Sequence, residues 1–473
     1  MFIPLRSIPP AAFALLLACG GAAGRTWTVD APSTATIQHA IDDCAAAGGG
    51  RVDLPAGTFA AAPLELRSHV ELHLDKGATL RFARDFVDYP LAWVDDGRGP
   101  EAGLRSPIWA DGQTDVAITG EGVIDGQGDA WRSAKKSKLA PDDWDALVQS
   151  GGVLSPDGKE WFPAAVVRNG QHEIDKLAAV HAPLEAYAPY RPLLRPKLVR
   201  LSNCNGVRLS GVTFRNSAMW NVHLSLCDHV QVRGVTIFNP IWAQNGDGID
   251  IDSCRDVTVA DSTVNAGDDG ICIKSGQDAA GRRRARPTED VTITNCTVGT
   301  GHGGVVIGSE MSGGVRHVRV DHCAFNGTDN GLRFKSVRGR GGVVEDVVVD
   351  DVKMADIHGV AVLFDLYYFT KPAKPGEAPP PVTEATPAFR DFHISHVACD
   401  GAKQALLIRG LPEMPLHDIT LDDVRLTATT AGLIDDAVGV TCRDVHVRAT
   451  DGSTVRVDHA PDLKLTDSTG FQP

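Results

Sequence analysis

DHVQVRGVTIFNPIWAQNGDGIDIDSCRDVTVADSTV, residues 228–264, decides the fold. Its apolar residues fall into two copies of one template, V-x-V-x-x-V-x-V: Val230, Val232, Val235 and Ile237, then Val257, Val259 and Val264. Residues paired two apart describe short strands, and the single extra residue between pairs describes a bend; a helix would need a 3.6-residue period. Outward from this stretch the template begins again at Val207, Val291, Val318, Val347, Phe392 and Ile419. Self-similarity of this kind is the mark of a solenoid, in which each coil buries its inward side chains on the next. The reading is an all-β chain, a right-handed parallel β-helix.

An open solenoid end exposes backbone and needs a cap. Thr34 to Ala47, with Ile37, Ala40, Ile41 and Cys44 at helical spacing before Gly48-Gly49-Gly50, predicts an N-terminal capping helix. Strands at Arg51–Leu54 and Val70–Leu74 follow. Residues 129–196 do not fit the template; they hold Trp131, Trp144, Trp161, Tyr187 and Tyr190 and read as a loop insert beside the groove, with a short helix near Pro141–Ser150. A proline-rich excursion covers Lys371–Pro387. Cys296, Cys323 and Cys399 fall on inward template positions and read as small core hydrophobes. Cys204, Cys227 and Cys254 precede successive templates at one offset and could stack about 4.8 Å apart, within reach of one bridge.

Residues 1–24 combine Arg6, the apolar run Ala11–Ala18 and small residues up to Gly24, which predicts a cleaved leader and export to the periplasm or outside the cell; Cys19 offers a weaker lipoprotein reading. Residues 25–473 then form a single domain with its insert. No later apolar stretch approaches the roughly 20 residues that span a bilayer. With a net charge of −14 the chain is not expected to bind nucleic acid, and a monomer is expected.

A second strand type accompanies each template: Gly248–Asp252, Gly270–Lys274, Gly304–Ile307 and Gly331–Lys335. If Ile249, Ile271, Val305 and Leu332 point inward, alternation turns Asp250, Lys274, Arg333 and Lys335 outward on one face. Asp247, Asp268, Asp269 and His302 stand just before these strands, so coil spacing of about 4.8 Å gathers them. Carboxylates this close cannot all ionise freely: one stays protonated as a general acid while the others activate water, the logic of glycoside hydrolysis. Lys274 reads as an ion-pair partner of Asp250 or Asp252. Arg282-Arg283-Arg284-Ala285-Arg286 reads as a solvated run rather than a steering patch, and Trp220 and Trp242 as corner packing or sugar platforms.

Asn245-Gly246-Asp247, Asp268-Asp269, Gly301-His302-Gly303 and Arg333-Phe334-Lys335 resemble, in order, the Asn-Thr-Asp, Asp-Asp, Gly-His-Gly and Arg-Ile-Lys signatures of glycoside hydrolase family 28, the polygalacturonases, pectin-lyase-like solenoids. The resemblance spans nearly the whole mature chain. It implies that Asp268 is the acid, that Asp247 and Asp269 activate water in a single inverting displacement, that His302 supports the acid, and that Arg333 and Lys335 bind a galacturonate carboxylate. Asn245 and Tyr368 (or Tyr367) complete the substrate-binding set. The implied partner is an acidic polysaccharide, pectin or its oligogalacturonides, with no cofactor and no metal.

Gly246 and Phe334 depart from the signatures without removing a reacting group. The insert and the string Gly308–Gly314 look like the bacterial exo-acting branch, so cleavage of α-1,4-galacturonosidic bonds from the non-reducing end is the expectation. Endo action and a substituted galacturonan or rhamnogalacturonan substrate are the alternatives. The rivals are a calcium-dependent pectate lyase, whose unsaturated product would absorb ultraviolet light, and a non-catalytic glycan-binding solenoid.

Overall fold

A computed structural model describes residues 25–372 and 378–472. The expected leader, with Cys19, and the centre of the proline-rich excursion lie outside the described residues. No helix among those described is long and apolar enough to cross a membrane.

The chain is a right-handed parallel β-helix, as the template predicts. One coil runs through the strands Arg255–Ala260, Thr263–Asn265 and Asp269–Lys274 before the next begins at Thr288. Each strand pairs in parallel with its counterpart a coil away, giving three long faces. On the first, Val230, Val257, Val291 and Val318 stand in register. On the second, Ile237 aligns with Val264 and Val298, and on the third Ile249 aligns with Ile271, Val305 and Leu332. The template is therefore the first two faces joined at a corner, and the second strand type is the third face.

The corners have a residue signature. His229, Asp256, Asp290, His317, Asp346, Asp391, Asp418 and Asp444, each just before a first-face strand pair, have φ between 50° and 61°. Asp, Asn and His accept this left-handed conformation at least cost among residues with a Cβ, so the polar residue at each corner is chosen by backbone shape.

Inward side chains form one continuous core from Val29 to Val455. In the later coils Phe334, Phe364 and Phe392 stack with ring centroids 4.7–5.2 Å apart, which explains the departure at Phe334: it fills core and faces no substrate. The cap is the helix Thr34–Ala46, begun by Ser33, whose hydroxyl accepts from the Thr36 N–H at 3.2 Å, and packed through Ile37, Ile41 and Cys44. The nine described cysteines carry free, buried thiols, so the bridge does not form; Cys204 and Cys227 donate to backbone carbonyls instead.

The insert leaves the solenoid after the strand Val123–Asp125 and returns at Val199. It holds the expected helix, Pro141–Gln149, and also a small antiparallel sheet and the helices Ala165–Asn169 and Gln171–Ala179. Trp131 anchors it edge-on against Tyr89 and Phe86, and buried Arg132 donates to the Ser217 carbonyl at 2.8 Å. An antiparallel hairpin, Leu91–Asp95 with Pro100–Leu104, stands opposite the later part of the insert.

Candidate active site

Asp247, Asp268, Asp269 and His302 meet at the leading edge of the third face, as the coil spacing requires. The backbone staples these turns together: the Gly248 N–H donates to the Asp269 carbonyl at 2.9 Å, and the His302 N–H to the Asp268 carbonyl at 2.7 Å. The turns are crowded. A Cβ at Gly301 would stand 2.7 Å from the Asp268 carbonyl oxygen, and one at Gly246 would stand 2.7 Å from that of Ala243, so in this chain glycine is what fits where the signature has threonine.

The three carboxylates live in different environments. Asp268 is the most open, its side chain 20 % exposed against 4 % for Asp247 and 2 % for Asp269. Its Oδ1 lies 2.9 Å from His302 Nδ1 and accepts the Asp269 N–H at 3.0 Å. That hydrogen bond, with the nearby carboxylates, raises the His302 pKa against the effect of burial. Burial alone would raise Asp269, but Lys335 Nζ on Oδ2 and Arg333 Nη1 on Oδ1, both at 2.7 Å, hold it well below the usual carboxylate range. Asp247 is driven the other way: burial, then Asp250 and Asp268, push it well above that range, and Lys274 works against them.

Arg333 and Lys335 do point outward from the core, but toward Asp269 as well as the groove. Both lie near the Tyr368 ring, 5.6 and 4.8 Å from its centroid. Tyr367 is buried between Arg338 and Arg409 and is not part of the site. Lys274 pairs with Asp250 at 3.4 Å, as one of the two sequence alternatives has it, and also with Asp247 at 3.7 Å and Glu310 at 3.3 Å; Asp252 is taken instead by His223 and Arg284. Asp250 is fully buried, and burial, partly countered by Lys274, pushes it up to about 7. Carboxylate oxygens of Asp247 and Asp269 and the Cys272 thiol lie within 4.8 Å of one another. Three ammonium and guanidinium groups already serve these carboxylates, so the donor set does not fit a divalent cation.

Asn245 turns toward the insert: its Oδ1 accepts from Arg195 Nη2 at 2.7 Å, while Arg195 Nη1 holds the Gln244 carbonyl at 2.8 Å. Sequence reasoning missed Arg195, which has no periodic context inside the insert. It also missed Glu310, although the string that carries it stood out. Trp220 is packing rather than platform, buried with Lys197 and Lys274 Nζ at 4.7 and 4.6 Å from its ring; half-buried Trp242 lies against Arg132. The arginine run is neither solvated nor steering for the most part. Arg282, Arg284 and Arg286 are tied to the Gly339 carbonyl, Asp95 and Asp228.

Beside the carboxylates lies a cavity of about 960 Å³ between the hairpin and the insert. Trp93, Leu194 and Met219 give it apolar wall, and the cations Arg98, Arg195, Lys197 and Arg200 line it together with the acids Asp96, Glu101 and Asp175. Lys197 and Arg200 share the Asp96 carboxylate. The exposed edge of Trp93 packs against Tyr187 at 6.2 Å.

Known proteins share this architecture. An endo-polygalacturonase of Pectobacterium carotovorum subsp. carotovorum is 31% identical over 84% of this chain and 84% of its own. An exo-poly-alpha-D-galacturonosidase of Dickeya chrysanthemi is 29% identical over 80% of this chain and 62% of its own. The solved structure of a hyperthermoactive exopolygalacturonase from Thermotoga maritima superposes with a TM-score of 0.69 at 26% identity, covering 93% of this chain and 92% of that one. The family profile described as "Glycosyl hydrolases family 28" matches residues 164–452, which include Asp247, Asp268, Asp269, His302, Arg333 and Lys335, and the chain belongs to that family.

Proposed function

We propose that the protein is a polygalacturonase that hydrolyses α-1,4-galacturonosidic bonds of pectic chains with inversion, removing units from the non-reducing end. The observation that carries the chemistry is the contrast between the open Asp268 and the buried Asp247 and Asp269 on adjoining turns. Of the three carboxylates Asp268 is the most open to the groove, and its Oδ1 is occupied by His302 and a backbone N–H, which leaves Oδ2 to serve the leaving oxygen. Asp247 and Asp269 stand close enough to hold one water between them. The water oxygen bonds to the anomeric carbon, its proton passes to Asp247, and the glycosidic oxygen departs with the proton of Asp268. Arg333, Lys335 and Tyr368 receive the carboxylate of the sugar on the leaving side. The guanidinium has five N–H donors and spends one on Asp269, which leaves others for substrate.

The cavity supports exo action. Arg195 and Lys197 precede the strand Val199–Ser202, two coils before Ile249–Asp252, whereas Arg333 and Lys335 lie two coils beyond Asp269. A chain end held between insert and hairpin is thereby opposite the leaving-side cations, with the carboxylates between them. A polymeric substrate outside the cell also suits the export read from residues 1–24.

Sizing early products from polygalacturonate tests this reading, with rhamnogalacturonan and xylogalacturonan as comparison substrates. Short products from the first turnover are expected; a ladder of oligomers would instead assign endo action. Asp268→Asn is expected to abolish all but a trace of reducing-end release, and substantial residual activity would remove Asp268 from the acid role.

A further inference from the structure

We propose that Lys274 is a positioning residue that sets the protonation of Asp247 through a balance it shares with Asp250 and Glu310; this rests on the reading of Asp247 as the group that takes the proton of water. The lysine is 5 % exposed and its ammonium lies 3.7, 3.4 and 3.3 Å from Asp247, Asp250 and Glu310. The Trp220 ring covers it at 4.6 Å, which keeps water from screening the group. Each neighbour comes from a different part of the fold: Asp247 from the turn before Ile249, Asp250 from the strand beyond it, and Glu310 from the string after Gly303–Ile307. One cation thus serves three carboxylates, and neither Asp250 oxygen has a hydrogen-bond partner among the described residues. A buried acid left so poorly served competes with Asp247 for the same charge.

The other charges around the pair relieve it only in part. Asp268 and Asp269 add negative potential at Asp247, while Arg333 and Lys335 are committed to Asp269. Arg195 attracts Asp247 but is bonded to Asn245 and the Gln244 carbonyl, and Lys197, which also lies against the Trp220 ring, attracts Asp250 but is bonded to Asp96. The Cys272 thiol carries no charge, since burial raises its pKa well above the ordinary value. Lys274 is the nearest cation to Asp247, and a base must be ionised to accept a proton.

Removing the ammonium lets Asp247 stay protonated to higher pH, whereas removing Asp250 leaves the ammonium to Asp247 and Glu310. The two changes move one titration in opposite directions. The test is the kcat–pH profile on polygalacturonate for wild type, Lys274→Met, Lys274→Arg and Asp250→Asn, with circular dichroism to verify the fold. Lys274→Met is expected to move the acidic limb up by about one unit or more, the ordinary effect of losing a neighbouring opposite charge. Lys274→Arg keeps the limb near wild type, and Asp250→Asn moves it down. Loss of activity in Lys274→Met with an unmoved limb, or displacement of the limb in the same direction by Lys274→Met and Asp250→Asn, overturns the proposal. Should Lys274→Met not fold, the direction of the Asp250→Asn shift decides alone. A wild-type protein that releases no reducing ends would sink the proposed function itself, which the same assay reads separately.

Discussion

Replacing Asp269 by asparagine keeps the volume of the side chain and removes the charge between Arg333 and Lys335. Both cations lie 2.7 Å from the carboxylate, in a pocket where Asp269 is 2 % and Lys335 5 % exposed. Removing one partner of a buried pair costs about 3–5 kcal/mol, because the remaining charge is left desolvated and unpaired. Here two cations lose one anion, so Asp269→Asn is expected to lose at least about 3 kcal/mol at pH 7. The pH dependence has a definite sign. The folded carboxyl is held below its ordinary value, so its contribution is complete above the unfolded pKa of about 3.9 and disappears as the pH falls through the folded one. The wild-type and variant stabilities should therefore differ by a constant amount from about pH 5 to 8 and converge below about pH 4. Urea midpoints measured across that range read the difference directly. A variant as stable as wild type at pH 7, or a gap indifferent to acid, would falsify the clamp.

Three further outcomes are expected. His302→Gln should lower kcat about 100-fold, as loss of one general acid–base partner does, and should flatten the alkaline limb. The sign follows from the raised pKa of His302: its protonated form supports Asp268 below 6.5, and that support is lost as the pH rises through the raised value. Arg195→Met frees Asn245 and takes a cation from the cavity wall, so KM for oligogalacturonides should rise more than kcat falls; an unchanged KM would take Arg195 out of substrate binding. Phe334→Ala opens a hole in the aromatic stack with Phe364 and Phe392 and should cost about 3–5 kcal/mol in denaturant unfolding, while the substrate preference stays as it was.

The coils were legible because their signal is local: apolar pairs two residues apart, repeated with the same bend. The gathering of Asp247, Asp268, Asp269 and His302 was legible for the same reason, since a residue's place within its coil is also its place across the groove. Charge pairing was harder. Arg333 and Lys335 read as facing substrate alone, because nothing in one dimension says that both also reach back two coils to Asp269. Arg195 and the cavity wall depend on the path of a non-repeating insert, which carries no periodic signal. Two features were within reach of the sequence and went unread. Asp96-Gly97-Arg98-Gly99 is a turn between two short strands, the hairpin that faces the insert. The aspartates and histidines that recur just before the valine pairs mark left-handed corners.

The insert enters and leaves the solenoid without disturbing it. On either side of the excursion Ile108–Asp111 pairs with Val199–Ser202 as neighbouring coils, and the following coil pairs on in the same register. The groove carboxylates hang from the coils, whereas one wall of the cavity hangs from a segment that the coils do not need for their alignment. Such an arrangement separates what can vary from what cannot. A change in the excursion would reshape that wall, while the groove carboxylates take their spacing from the stacking of the backbone. The mould that receives a ligand is thus set by a part hung on the scaffold, and the spacing of the carboxylates by the scaffold itself.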